Sequence, residues 1–471
     1  MANVGLLTVS DGRADVHRDV ERSAAAVAGR IAAAIEHAGH HVVEGEHIVW
    51  TNELAVREAR RIADARPALT IINVPVWAFP HFTMRAAREL PGPLLLFSNL
   101  DAGHPGMVGM LAAAGALDQI GRSYGRAWGD IEDPVVWAHI EMHIRAGAAV
   151  EDLRGSTFGR VGGRSMGMYT AVSNSDRWID QFGVDVEEID QWELVRRAEE
   201  VDPARVRLGR EWLEQHAAGV HYDEGRLTPA LLERQIRSYH VMRELIDEWN
   251  LDFCGIKAQP ELTTNFATMD VTEAFLNDPY DWEGPKEPVV CSTEADMDGA
   301  LTMQLLKSLS GTPVLFADVR HYHADLDVWD LCNSGQHATW FAARSDDPAE
   351  NMRGVNLYPA DFYFPAGGAS VHHVAAPGEF TFARLTRLSH RYRMHVLRGR
   401  LEAYDAETKE RLMHASTYVW PHAFARLDTT VNEFLGRYGS NHVHAVPGDH
   451  TAALREVCRL LDVDFDGFGG I

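Results

Sequence analysis

The sequence predicts an α/β protein: two doubly wound, parallel-sheet domains followed by a mainly antiparallel β domain. Three observations carry that reading. Through about residue 150, short apolar runs alternate with helical patterns, the rhythm of βαβ units. A second alternating stretch begins after Gly155. Beyond Thr312 the texture changes to short β-like runs broken by Gly and Pro, as in antiparallel sheets. Domains are therefore expected at 1–155, 156–310 and 311–471, in keeping with a chain of 471 residues and roughly 150 residues per domain.

Residues 4–9 read as a buried strand, and 20–38 as an Ala-rich amphipathic helix with apolar positions at helical spacing. A strand over 41–49 and a helix over 53–65 come next, then LTIINVPV (69–76), a helix after Phe82, PLLLF (93–97) and a helix over 107–120. In such sheets ligands bind beyond the carboxyl ends of the strands. Asp11, Gly12 and Arg13 fall there, as do Trp77, Ser98 and Asn99. A long helix over 135–153 leads to VGGRSMGMY, whose turn from Gly162 to Gly167 is not GxGxxG and has no P-loop lysine after it, so no nucleotide is expected on it. Helices are expected over 186–201, 204–218 and 228–249, a strand over 252–256, and a short helix over 272–277. A strand end at 288–291 precedes a helix over 298–309 that Gly311 stops. The strand PVLFADV, β runs at 380–385 and 392–398, and a closing helix over 451–461 make up the last domain.

Lys and Arg number 44 against 68 Asp and Glu, a formal net charge of −24. Attraction to nucleic acid or anionic lipid needs clustered positive charge, so neither partner is expected. Cys254, Cys291, Cys332 and Cys458 are far apart with no CxxC, which suggests neither a disulfide framework nor a thiolate zinc site and fits a reducing compartment. The start MANVGLLTVSDGR lacks the basic and long apolar regions of a signal peptide, and no stretch approaches 18 apolar residues, so a soluble cytoplasmic protein is expected.

Three residues stand where a loop meets a strand or helix: Glu294 in CSTEADMDG, Asp318 in VLFADVR and His442 in YGSNHVH. A strand end fixes a carboxylate while the loop leaves it open to substrate, a common arrangement for a metal ligand or a base. Singly, each also has a plainer role: Glu294 as a helix-start carboxylate, Asp318 as a partner of Arg320, and His442 as a core or surface histidine.

Together they are more specific. VVCSTEADMDGALTMQLLKSLSGTPVLFADVR resembles the metal-dependent L-fucose isomerases, and YGSNHVH resembles the segment that carries their NH pair. DGR (Asp11 to Arg13), VPVWAF around Trp77, GGRSMG, GIKAQPELTT and LCNSG (Leu331 to Gly335) keep the family's order, and a more distant likeness extends to the L-arabinose isomerases. The resemblance implies a divalent metal, Mn²⁺ or another, held by Glu294, Asp318 and His442, a donor set that suits Mn²⁺. It implies that Glu294 and Asp318 also move the proton between C1 and C2 of an aldose while the metal stabilises the ene-diolate. Arg13, Trp77, Gln259, Asn333 and Trp420 match positions that line the family's sugar pocket; for Trp77 and Trp420 a core role stays open. A homo-oligomer, hexamer or trimer, with a site shared between subunits is also implied, since Arg13 and Trp77 come from the first domain.

The chain departs from the family at HYH (His321 to His323), and His372, His373, His422, His444 and His450 are unexplained. All of these but His450 are expected around the far end of the sugar, where they leave the substrate open between a neutral L-fucose or D-arabinose type and an anionic 6-substituted sugar such as sulfoquinovose. A sugar-binding protein and a metal-dependent hydrolase or aldolase are the readings from other classes.

Overall fold

In the computed structural model, residues 1–334 and 337–471 are described; Gly335, the last residue of the LCNSG segment, lies outside them. The chain divides into two units, Met1–Glu151 and Asp152–Ile471.

The first unit is a doubly wound sheet. Asn3–Thr8, Leu69–Asn73 and Leu94–Ser98 form its centre, with His41–Glu44 and Gly125–Trp128 at the edges, all parallel. LTIIN and LLLFS are buried along their whole length because helices cover both faces. The first helix, Ala14–His37, starts well before residue 20, since the polar turns that hide its periodicity still bury His17, whose ring stacks on Trp50. The strand expected over 41–49 stops at Glu44, and Val49 keeps only a bridge to Val9. Gly125–Trp128 escaped the sequence reading because Ala127 alone in it is fully buried.

The second unit begins with a parallel sheet in the order Cys291–Thr293, Phe253–Ile256, Thr157–Val161, Asp185–Ile189. Its last strand corrects an expectation: residues 186–201 are not one helix but the edge strand Asp185–Ile189 and the helix Gln191–Ala198. Asp190 makes the break, accepting a hydrogen bond from the Trp192 N–H at 2.8 Å as N-cap. Glu187 and Glu188 fit an edge strand, where they reach solvent.

The seven-stranded sheet that follows is antiparallel apart from Asp464–Gly467, and Gly378–Leu388 pairs with Arg391–Leu401 to close its other strands into a barrel. Leu315, Ala317, Leu331, Phe382, Leu397, Ala423 and Val443 fill the inside. Because side chains alternate along a strand, Asp318 and His442 point to the outer face. There the helix Met297–Ser310 packs against His442–Pro447 and Gly378–Leu388. Among the described residues, no helix is long and apolar enough to cross a membrane.

Candidate active site

Glu294 sits between the strand Cys291–Thr293 and the helix Met297–Ser310. Both Glu294 and Ala295 are left-handed, at φ 59° and 49°. That conformation is costly for side-chain-bearing residues and recurs where a functional group must be aimed. The helix starts one residue after this turn because Asp296 accepts a hydrogen bond from the Gly299 N–H at 2.9 Å, and it ends at Gly311 in the left-handed conformation.

Asp318 and His442 are register partners on adjacent antiparallel strands, so their side chains leave the sheet side by side. A bulge between Val319 and His321 directly follows Asp318, and Asn441 donates to its Oδ1 at 3.2 Å. His442 Nε2 lies 3.0 Å from Glu294 Oε2 and 3.5 Å from Asp318 Oδ1. Neither Nε2 nor Oε2 is hydrogen-bonded, although both are buried. Two buried polar atoms that close without a mutual hydrogen bond, beside a second carboxylate, suit a shared divalent cation.

The other face of His442 is held tightly. Its Nδ1 is 2.6 Å from Asp296 Oδ2, and Arg384 Nη1 is 2.5 Å from the same oxygen. Burial alone would lower the His442 pKa, but Asp296 and Glu294 push it up to about 10. A metal ion among these groups would displace that proton. Asp296 stays ionised against its burial because Arg384 and His442 face it. Burial, with Glu294 nearby, raises the Asp318 pKa against the opposing pull of His442. A carboxylate so shifted is better placed to hold a proton for part of a cycle.

Glu294 and Asp318 open into a cavity of about 310 Å³ whose walls include Gln259, Asn333 and Trp420. Asn333 Nδ2 and Trp420 Nε1 are buried without hydrogen-bond partners. Arg320, exposed, places its guanidinium 5.0 Å from the centre of the Trp420 ring, and Met166, Tyr363 and Phe364 complete the rim. The Gly-rich turn reaches this cavity through Met166, and Ser165 donates to the Gln259 carbonyl at 3.1 Å.

Arg13 and Trp77 belong to the first unit, at the carboxyl edge of its sheet. Asp11 accepts from the Arg13 backbone N–H at 2.8 Å and from its Nε at 2.9 Å, which fixes the arginine at the start of Ala14–His37. Gly12 is required there, because a Cβ would come within 2.6 Å of the Phe79 ring.

The family comparisons cover Glu294, Asn333, Trp420 and His442, while Asp318 falls between the matched ranges. Models of the L-fucose isomerase first N-terminal, second N-terminal and C-terminal domains match residues 1–155, 243–311 and 331–468. The chain belongs to the L-fucose isomerase family. It is 26% identical over 366 residues to the L-fucose isomerases of Citrobacter koseri and Klebsiella pneumoniae, an alignment that covers 68% of this chain and 61% of each relative. To that of Salmonella paratyphi B it is 26% identical over 363 residues, with the same coverage. The chain thus spans about three fifths of the length of these relatives, as 61% states.

For this member of the family, reading the sequence missed Asp296 and Arg384. Asp296 lies inside the quoted CSTEADMDG, two residues from Glu294; Arg384 comes from a strand 88 residues further on and carries no local signal. The histidines expected around the sugar are elsewhere: none of them lines the Glu294 cavity, and His321 lines an adjoining one. His444 instead contacts Arg384 at 3.2 Å and His372 the Trp420 carbonyl at 3.1 Å, and His450, whose role the sequence left open, contacts the Pro447 carbonyl at 2.9 Å.

Proposed function

We propose that this chain is a divalent-metal-dependent aldose–ketose isomerase, with a neutral aldose of the L-fucose or D-arabinose type as substrate. The observation that carries the reading is the grouping of Glu294, Asp318 and His442 at one end of a sugar-sized cavity bearing unpartnered polar atoms from Asn333 and Trp420. The relatives' name, L-fucose isomerase, supports the reaction class.

Glu294, Asp318 and His442 would hold Mn²⁺ or a similar ion, which supplies polarisation of the carbonyl and charge stabilisation on the substrate oxygens. Glu294 and Asp318 take a proton from one of the two reacting carbons and return it to the other. Asn333 Nδ2 and Gln259 bind hydroxyls, and the Trp420 indole packs on C–H faces while its N–H donates. Asp296 holds the imidazole by Nδ1 and so keeps Nε2 turned toward Glu294 and Asp318, where the ion would be held.

One observation favours the second reading, an anionic 6-substituted sugar: Arg320 stands at the rim with no carboxylate within ion-pair distance among the described residues. We further infer a cytoplasmic homo-oligomer, hexamer or trimer, in which Arg13 and Trp77 serve a neighbour's site, and domain boundaries at 155 and 310. The test is a panel of L-fucose, D-arabinose and 6-sulfo-glucose with added Mn²⁺, followed by NMR. Conversion of a neutral sugar supports the first reading; a tenfold preference for the anion, about 1.4 kcal/mol, replaces it with the second; conversion of none overturns both. Light scattering that finds a fully active monomer overturns the shared site.

A further inference from the structure

The outer face of the barrel carries a second polar cluster one strand away from the first. Asp318 is in register with Cys332, and Cys332 with His422. Alternation puts Asp330 on the same face as Cys332, and the bulge restores the register so that His321 pairs with Asp330 and His323 follows on that face. Asp330, Cys332 and His422 are completely buried, and one ligand atom from each lies within 4.8 Å of the others.

These groups are poorly satisfied as a hydrogen-bond cluster. His422 Nδ1 and Asp330 Oδ1 approach to 2.9 Å, but His422 Nε2, Asp330 Oδ2 and His323 Nε2 are buried with no partner. His323 is 6% exposed, and its ring lies 6.5 Å from Phe424, which stacks on His422 at 5.6 Å. Buried, unsatisfied polar atoms cost roughly 1–3 kcal/mol each, so several together call for a bound partner. The 2.9 Å separation is close to the spacing of two ligand atoms in one tetrahedral zinc shell, about 3.3 Å for bonds of 2.0–2.1 Å. Ala360, Phe364 and Trp420 pack with Cys332 and form a dry wall beside it.

We propose that Asp330, Cys332 and His422 form a second metal site that takes Zn²⁺. A thiolate with imidazole and carboxylate donors selects zinc over the Mn²⁺ suited to an all oxygen-and-imidazole site. On binding, Cys332 gives its proton to solvent and ligates as thiolate. The site ties together the strands Val328–Cys332 and His422–Leu427, which lead into Asn333 and out of Trp420.

Co²⁺ is the probe, because only a thiolate ligand gives it an intense near-ultraviolet charge-transfer band. The full chain, stripped with EDTA, is titrated with Co²⁺ as wild type, Glu294→Gln, Cys332→Ser and His422→Gln. The site requires the band in wild type and in Glu294→Gln, its loss in Cys332→Ser, and at least tenfold weaker binding in His422→Gln. Wild type saturated with Co²⁺ but showing no such band overturns the proposal without any variant, as does a band that survives Cys332→Ser. Because Glu294→Gln leaves this site whole, the result is independent of whether the isomerase reading holds.

Discussion

Replacing Asp296 with Asn separates two jobs that one carboxylate performs. Asp296 orients His442 through Nδ1 at 2.6 Å and neutralises Arg384 at 2.5 Å, and both side chains of the ion pair are completely buried. Losing the carboxylate that orients a ligating histidine typically lowers metal affinity 10–100-fold, about 1.4–2.7 kcal/mol. Leaving the Arg384 charge buried and alone costs about 3–5 kcal/mol of stability. The Asn side chain can still cap the helix at Gly299, so little of that loss comes from the cap. Adding Arg384→Met removes the orphaned charge and should return most of the stability, while Mn²⁺ affinity stays low. Titration calorimetry with Mn²⁺ and urea denaturation of wild type, Asp296→Asn and the double variant measure the two effects separately. Unchanged Mn²⁺ affinity in Asp296→Asn, or affinity restored by Arg384→Met, would refute the role of Asp296 as the group that aims His442.

Gly299→Ala lies in a helix, where the change usually stabilises by up to about 1 kcal/mol. Here the new Cβ would fall 2.7 Å from both the Arg384 guanidinium and the Asp296 carboxylate, so thermal denaturation should show destabilisation instead. Asn333→Ala should reduce kcat/KM about tenfold, the worth of one hydrogen bond to substrate, with Mn²⁺ affinity unchanged; equal losses in both would place Asn333 at the ion rather than the sugar. His240 is completely buried and accepts from Trp282 Nε1 at 3.2 Å. Burial lowers its pKa from 6.5 to about 4, so between those values the unfolded chain binds a proton that the folded chain refuses, and stability falls as pH drops through the window. Going from pH 7 to 5 should remove about 2 kcal/mol on this account, and His240→Gln should flatten the denaturation profile over that range; an equally steep profile would count against it.

What was legible in the sequence was legible for local reasons. Buried central strands such as LTIIN and LLLFS are apolar throughout, and the helix from Met297 has its cap at Asp296 and its stop at Gly311 within view. Glu294 and Asp318 stand out by residue type at strand or loop ends, Asn333 and Trp420 only through the family resemblance, and the structure places all four around one cavity. Arg384 could not be found that way, since its meaning lies in a contact with Asp296 made only when the helix docks on the barrel. The edge strand Asp185–Ile189 was hidden because VEE reads as helix until the Asp190 cap is taken into account. The clustered histidines misled in the opposite direction: His323 and His422 face away from the inside of the barrel but are covered, and a sequence pattern does not report that burial.

The central claim is that Glu294 and Asp318 move a proton between adjacent carbons of a sugar in a metal-dependent site. Its most direct test is the reaction of the Mn²⁺-loaded chain with L-fucose and D-arabinose in D₂O, read by NMR for ketose formation and for deuterium at the reacting carbons. The account predicts ketose with solvent deuterium from wild type, and a loss of at least a thousandfold, about 4 kcal/mol, in both Glu294→Gln and Asp318→Asn with the fold intact. Substantial isomerisation surviving either substitution, or none by the Mn²⁺-loaded wild type, would contradict it.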